Sequence, residues 1–197
     1  MKSNRISKPP EVRKNEFLEV AQHLFLEKGY ENVSVRDILK EVNGGPGMFY
    51  YYFDSKKQLF NEVIDNVVEN IFIERRKIVE DKNISLEDKL EQIIELVINE
   101  HQQYRSALND LEKDDAVITK ITNRIVSRLS ETIKDALDMN GRVLPSFKTN
   151  EETAHFISYG IMGLIKLYDQ KEKDSLYQKK VIMLYIKDIL NGRKVEA

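Results

Sequence analysis

The chain is expected to be all-α: a small N-terminal head of three helices, then a larger helical body, about nine helices in all. Three observations predict this. Val, Ile and Leu recur at spacings of three and four rather than alternating. The few glycines and prolines, 8 and 4, fall largely between the periodic stretches. Ser followed three residues later by Asp opens two of those stretches, at Ser34 with Asp37 and Ser85 with Asp88, a short-armed capping box.

In chain order, Pro9 and Pro10 suit the first turn of a helix whose buried side is Phe17, Ala21, Leu24 and Phe25, and Gly29 stops it. Ser34 then caps a second helix of about two turns, with Val35, Ile38, Leu39 and Val42 facing inward. Asn43, Gly44, Gly45, Pro46 and Gly47 break the chain, and Pro46 opens a third short helix running through Met48 to Phe53. Asp54 or Ser55 caps a fourth, in which Leu59, Phe60, Val63, Ile64, Val67, Val68, Ile71 and Phe72 repeat in pairs. Leu86, Leu90, Ile93, Ile94 and Val97 mark one helix of the body, and Ile118, Ile121, Ile125, Leu129 and Ile133 another. Gly141 and Pro145 interrupt. The last two helices, roughly 150 to 168 and 175 to 190, are apolar on more than one face, and one such face is expected to meet a second subunit.

Composition narrows the function. Cysteine is absent and there are three histidines, so disulfides, thiolate zinc sites and cysteine nucleophiles are excluded and little remains for a metal cluster. There is no nucleotide-binding glycine loop after a strand and no HExxH pair, so an enzyme is not expected, nor is a cofactor or a metal. The charged, proline-interrupted start and the lack of a stretch of roughly 20 apolar residues predict a cytoplasmic protein without a membrane span. Net charge is −2 overall, but residues 1–60 hold ten Lys and Arg against eight Asp and Glu, leaving 21 against 25 for the rest. Lys2, Arg5, Lys8, Arg13 and Lys14 cluster at the start with only Glu11 among them, a phosphate-seeking arm if a DNA-binding unit follows.

Two short helices across a glycine-bearing turn, about residues 34–53, have the geometry of a helix-turn-helix, whose second helix enters the major groove. The residues are more specific than the geometry. The run Phe17, Leu18, Ala21, Leu24, Phe25, Gly29, Tyr30, Val33, Ser34, Val35, Arg36, Asp37 and Ile38 is followed by Gly47, Met48, Phe49, Tyr50, Tyr51, Tyr52, Phe53, Asp54, Ser55, Lys56, Lys57, Gln58, Leu59 and Phe60. It resembles the tetracycline-repressor-type (TetR/AcrR) regulators over about residues 11–72, which sets a DNA-binding domain at 11–72 and an effector-binding and dimerisation domain at 73–197. The resemblance implies a homodimer paired through its last two helices on a double-stranded DNA operator. It also implies a small-molecule effector, of a kind the sequence does not specify, whose binding moves the linking fourth helix and releases the DNA.

Residue roles follow partly from physics and partly from that resemblance. Ser34 heads the second helix, where it caps the helix and free N–H groups can hold a phosphate oxygen. Arg36, just inside, is a candidate phosphate or base contact. Tyr50 and Lys56 match the family's recurrent tyrosine and lysine, which the resemblance implies contact the sugar-phosphate backbone and so position without reading sequence. Phe49 and Phe53, one turn apart, read as core. Family members commonly show Val-Ser-Lys-Gly-Thr where this chain has Gly44, Gly45, Pro46, Gly47 and Met48. That departure removes hydroxyl and amine donors and leaves Met48, Tyr51 and backbone N–H groups to face the bases. Modest hydrogen-bond readout is therefore expected, with more specificity from Arg36, the basic arm and DNA shape. In the body, His101, Tyr104, Arg105, Asn123, His155, Tyr159 and Met162 are the polar and soft candidates for an effector pocket in an apolar wall. A helical scaffold without DNA binding, or an activator of the same fold, is the rival reading.

Overall fold

The computed structural model describes residues 8–109, 115–144 and 147–191. Lys2 and Arg5 of the basic arm, the breaker Pro145 and the side chain of Ile118 lie outside that description. Eight helices are described: α1 (Pro10–Lys28), α2 (Val35–Glu41), α3 (Pro46–Tyr52), α4 (Lys56–Glu80), α5 (Leu86–Asn109), α6 (Asp115–Met139), α7 (Asn150–Gln170) and α8 (Ser175–Asn191). The chain is all-α, close to the nine helices expected. It divides into two compact units, one of Met1–Val67 with Tyr104–Asp115 and one of Val68–Gln103 with Ala116–Ala197. The first therefore ends five residues before the expected boundary at 72 and takes in a later segment as well.

The first unit is held by aromatic packing. Phe17 of α1, Phe49 of α3 and Phe53 just after it are fully buried. Their ring centroids lie 5.6–6.1 Å apart, in tilted or edge-on pairs that aromatic quadrupoles favour. Phe49 and Phe53 are thus core, as their spacing predicts. Pro10 opens α1, where a missing N–H breaks no hydrogen bond. Gly29 closes it at φ 79°, ψ 153°, a backbone conformation open essentially to glycine alone, while its N–H donates to the Phe25 carbonyl.

The turn between α2 and α3 is built differently from the glycine turn expected. Its left-handed residue is Asn43, at φ 50°. The Gly44 N–H donates to Leu39 O at 2.8 Å and the Asn43 N–H to Lys40 O at 3.3 Å, the paired bonds of a Schellman stop. Gly44 sits in a tight spot: a Cβ there would lie 3.1 Å from Leu39 Cδ2 and 3.2 Å from Met48 Sδ, so those side chains would have to shift. Gly45 is extended and Pro46 is the first residue of α3. Ser55 caps α4, its Oγ accepting from the Gln58 N–H at 3.1 Å while the Gln58 side chain accepts from the Asp54 N–H at 2.6 Å.

The second unit has one apolar core, drawn from Leu90, Ile93, Ile94, Val97 and Ile98 of α5, Leu129 and Ile133 of α6, Ile157, Ile161 and Ile165 of α7, and Ile182 and Ile186 of α8. A full capping box starts α7, with Thr149 and Glu152 each bonding the other's backbone N–H. The other sides of α7 and α8 carry exposed Phe156, Tyr159, Leu167, Leu176, Leu184 and Tyr185. Two apolar faces per helix, one buried and one open, are what the sequence of these helices predicts.

Candidate nucleic-acid interface

The exposed side of the first unit gathers most of the residues singled out from the sequence. Ser34, Arg36, Pro46, Gly47, Tyr50 and Tyr51 are exposed, and Gly45, Met48 and Lys56 are half-buried. The three consecutive tyrosines of α3 divide by helical geometry. Tyr52 turns in against Phe17, at 5.8 Å between centroids, while Tyr50 and Tyr51 keep 63% and 73% of their surface exposed. Two large aromatic hydroxyl-bearing side chains held outward on a rigid helix suit a partner that offers hydrogen-bond acceptors and flat apolar surface. Beside them, a Cβ placed on Gly45 or Gly47 would meet no protein atom within 4 Å. Neither glycine is required by the fold, and both leave room for close approach of another molecule to the backbone.

Ser34 caps α2 as expected, and its one O–H donor is engaged within the protein. It donates to Asp37 Oδ2 at 2.5 Å, accepts from the Asp37 N–H at 3.2 Å, and the Ser34 N–H also donates to that carboxylate. These hydrogen bonds, the Ser34 hydroxyl's first, hold the Asp37 carboxyl below the usual carboxylate range. A carboxylate therefore already occupies the start of α2, while Arg36 and Lys40 are exposed cations of this helix.

The described residues of the basic arm are paired within the protein too. Lys8 pairs with Glu16 at 3.0 Å, Arg13 with Glu16 at 2.8 Å, and Lys14 with Glu62 at 2.7 Å, bracing α1 and tying it to α4. Arg13 also donates to the Val42 carbonyl at 3.3 Å, closing the end of α2. Lys56, expected to meet a phosphate, instead points back. Its Nζ lies 2.9 Å from each of the Tyr30 and Val33 carbonyls and 4.1 Å from the centroid of the Tyr30 ring.

The seven effector-pocket candidates are drawn from both units. Tyr104 and Arg105 belong to the first unit, where the Tyr104 hydroxyl accepts from the Gln22 amide at 3.1 Å. The other five belong to the second. There, His101 meets Asp169 of α7 at 2.6 Å, and His155 lies 3.4 Å from the Ser130 hydroxyl. Asn123, His155 and Tyr159 are exposed, and Met162 packs on the core. A pair not singled out from the sequence is Arg75 with Glu100, linking α4 to α5. Arg75 is 2% exposed and its Nε has no hydrogen-bond partner. Burial pushes the guanidinium down and the Glu100 carboxyl up, each partly offset by the other's charge. Periodicity held the signal for this pair: Arg75 falls at i+3 from Phe72 on a buried stripe that continues to Val79, and Glu100 at i+3 from Val97.

Among the described residues, no helix is long and apolar enough to cross a membrane, and no group of three or more acidic or imidazole side chains is placed to hold a metal. Residues 17–63 match the family model of bacterial regulatory proteins, tetR family. An HTH-type transcriptional regulator from the lacX 3' region of Lactococcus lactis subsp. lactis is 49% identical over 55 residues, 28% of each chain. The biofilm operon negative transcriptional regulator IcaR of Staphylococcus epidermidis is 23% identical over 124 residues, 63% of this chain and 66% of IcaR. The match thus spans less than two thirds of either relative's length. Among solved structures, a transcriptional regulator (TerR/AcrR family) from Aquifex aeolicus VF5 is similar at a TM-score of 0.61 and 25% identity, over 89% of this chain and 98% of that one.

Proposed function

We propose that the chain is a member of the tetR family of bacterial regulatory proteins, whose model residues 17–63 match, and that it is a sequence-specific repressor of transcription. It binds a double-stranded DNA operator in the cytoplasm as a homodimer and leaves it when a small molecule binds. The observation that carries this reading is the outward face of α3, where Tyr50 and Tyr51 stand exposed beside Gly45 and Gly47 while Phe49 anchors the helix from behind. In this reading α3 lies in the major groove, Tyr50 meets the sugar-phosphate backbone, and Met48, Pro46 and Tyr51 touch base edges, thymine methyl groups among them. Arg36 supplies the nearby charge.

The test is fluorescence anisotropy with a duplex that the wild-type protein selects from a randomised library. Salt-sensitive binding that Tyr50→Ala with Tyr51→Ala weakens by about 1–3 kcal/mol supports the reading. Failure of the wild type to enrich any duplex overturns it in favour of a helical scaffold.

Dimerisation through α7 and α8 is supported by their exposed apolar side chains, which a monomer would leave in water. Release by a small molecule is supported by the polar atoms buried in the second unit without hydrogen-bond partners, Arg75 Nε and Ser158 Oγ, since such groups are normally satisfied. A compound that raises the melting temperature and lowers affinity for the selected duplex is the expected finding. Compounds that bind the protein and leave DNA affinity unchanged would argue for a ligand-independent repressor.

A further inference from the structure

The geometry points to Lys56 as a positioning residue that clamps the start of α2, and not as a phosphate contact. An ammonium group has three N–H donors and no acceptor. Here two lie 2.9 Å from carbonyl oxygens, those of Tyr30 and Val33, and the Tyr30 ring face lies 4.1 Å away. Charge-assisted bonds to carbonyls and a cation–π contact together engage the whole head group inside the protein.

What the clamp holds is a defined turn. The Val33 N–H donates to the Tyr30 carbonyl at 3.4 Å, so residues 30–33 close on themselves and present both end carbonyls to the same lysine. Val33 is 1% exposed and directly precedes Ser34, the N-cap of α2. Phe60 lies one helical turn beyond Lys56 in α4, with its ring centroid 4.7 Å from that of Tyr30, and Phe25 packs on the same ring at 5.5 Å. Lys56 and Phe60 thus grip one tyrosine from one face of α4. The first turn of α4 fixes the α1–α2 turn, and that turn fixes where Ser34 and Arg36 stand. Residues 30–33 form no helix or strand, so little else in the backbone holds them.

The clamp itself rests on geometry alone, and its effect on DNA rests on the function proposed above. Two readouts separate them. In the free protein, Lys56→Met is expected to speed amide exchange at Val33 to Ile38 about tenfold or more, with α7 and α8 unchanged, because a local opening is made easier. On the selected duplex, affinity is expected to fall about tenfold as the competent arrangement of α2 becomes less populated. Affinity for a random duplex of equal length should change little. The slope of log affinity against log salt should stay at the wild-type value. A lost phosphate contact would instead lower that slope by about one, weaken both duplexes alike and leave exchange unaltered; this result overturns the inference. Tyr30→Leu, which removes the ring and no charge, provides a second variant should Lys56→Met unfold the head. The clamp predicts the same faster exchange and loss of selectivity, and unaltered behaviour overturns it. If the wild type selects no duplex, the repressor reading fails while the exchange experiment still decides the clamp.

Discussion

Gly47 shows how function and stability pull apart at one position. A glycine inside a helix is worth about 0.5–1 kcal/mol less than alanine, and nothing in the protein lies within 4 Å of a Cβ added there. Gly47→Ala is therefore expected to stabilise the head by about 0.4–1 kcal/mol in denaturant unfolding while binding the selected duplex more weakly. Unchanged binding would mean that the backbone of α3 does not approach DNA closely at this point. Arg75 and Glu100 are the opposite case, charged groups kept indoors. Glu100→Ala leaves a buried guanidinium unpaired and is expected to cost about 3–5 kcal/mol, whereas Arg75→Met with Glu100→Leu should come close to wild-type stability. Melting curves of the three proteins decide between this and a pair that contributes nothing.

Helix α2 has seven residues, too short to persist in water without its end groups. Ser34→Ala should cost about 1 kcal/mol. Its partner Asp37 adds a pH dependence whose sign follows from its depressed pKa. A carboxyl that ionises more readily folded than unfolded contributes stability that is present above the ordinary carboxylate range and lost as pH falls through the folded value. The gap in melting temperature between wild type and Asp37→Asn should therefore be open at neutral pH and close in acid. At the other end, Asn43 holds φ 50°, a conformation that β-branched residues resist. Asn43→Val is expected to cost about 1–2 kcal/mol and to loosen the turn into α3, seen as lost stability and weaker DNA binding together.

For the molecule as a whole, the decisive surface is the open face of α7 and α8. Tyr159, at 55%, and Leu184, at 58%, are highly exposed for large side chains on helices whose other face is packed in the core. Tyr159→Glu with Leu184→Glu should leave the fold intact and give a monomer by sedimentation, with affinity for a two-half-site duplex reduced to that of one head. A variant that still sediments as a dimer would assign the subunit interface to another face. Behind that surface, Asp169 accepts from Gln178 at 3.1 Å and meets His101 at 2.6 Å, so a polar cross-tie joins α5, α7 and α8 where their apolar packing ends.

Much of this was legible in the residues. Helical periodicity predicted α1 to α4, Pro10 and Pro46 marked two helix starts, and Ser34 with Asp37 marked the cap, because these are local effects carried by side chains within a few positions of each other. The resemblance carried by Phe17 through Phe60 located the head for the same reason, a dense pattern in one short stretch. What tertiary structure alone decided is where long, flexible side chains end. Lysine and arginine reach several ångströms from their backbone, and their partners are set by which distant carbonyl or carboxylate the fold brings near. So Lys56 turned to Tyr30 and Val33, 26 and 23 residues away in the chain, Arg13 to Val42, 29 away, and Arg75 to Glu100, 25 away. Spacing placed each charge on its helix; only packing chose the atom it met.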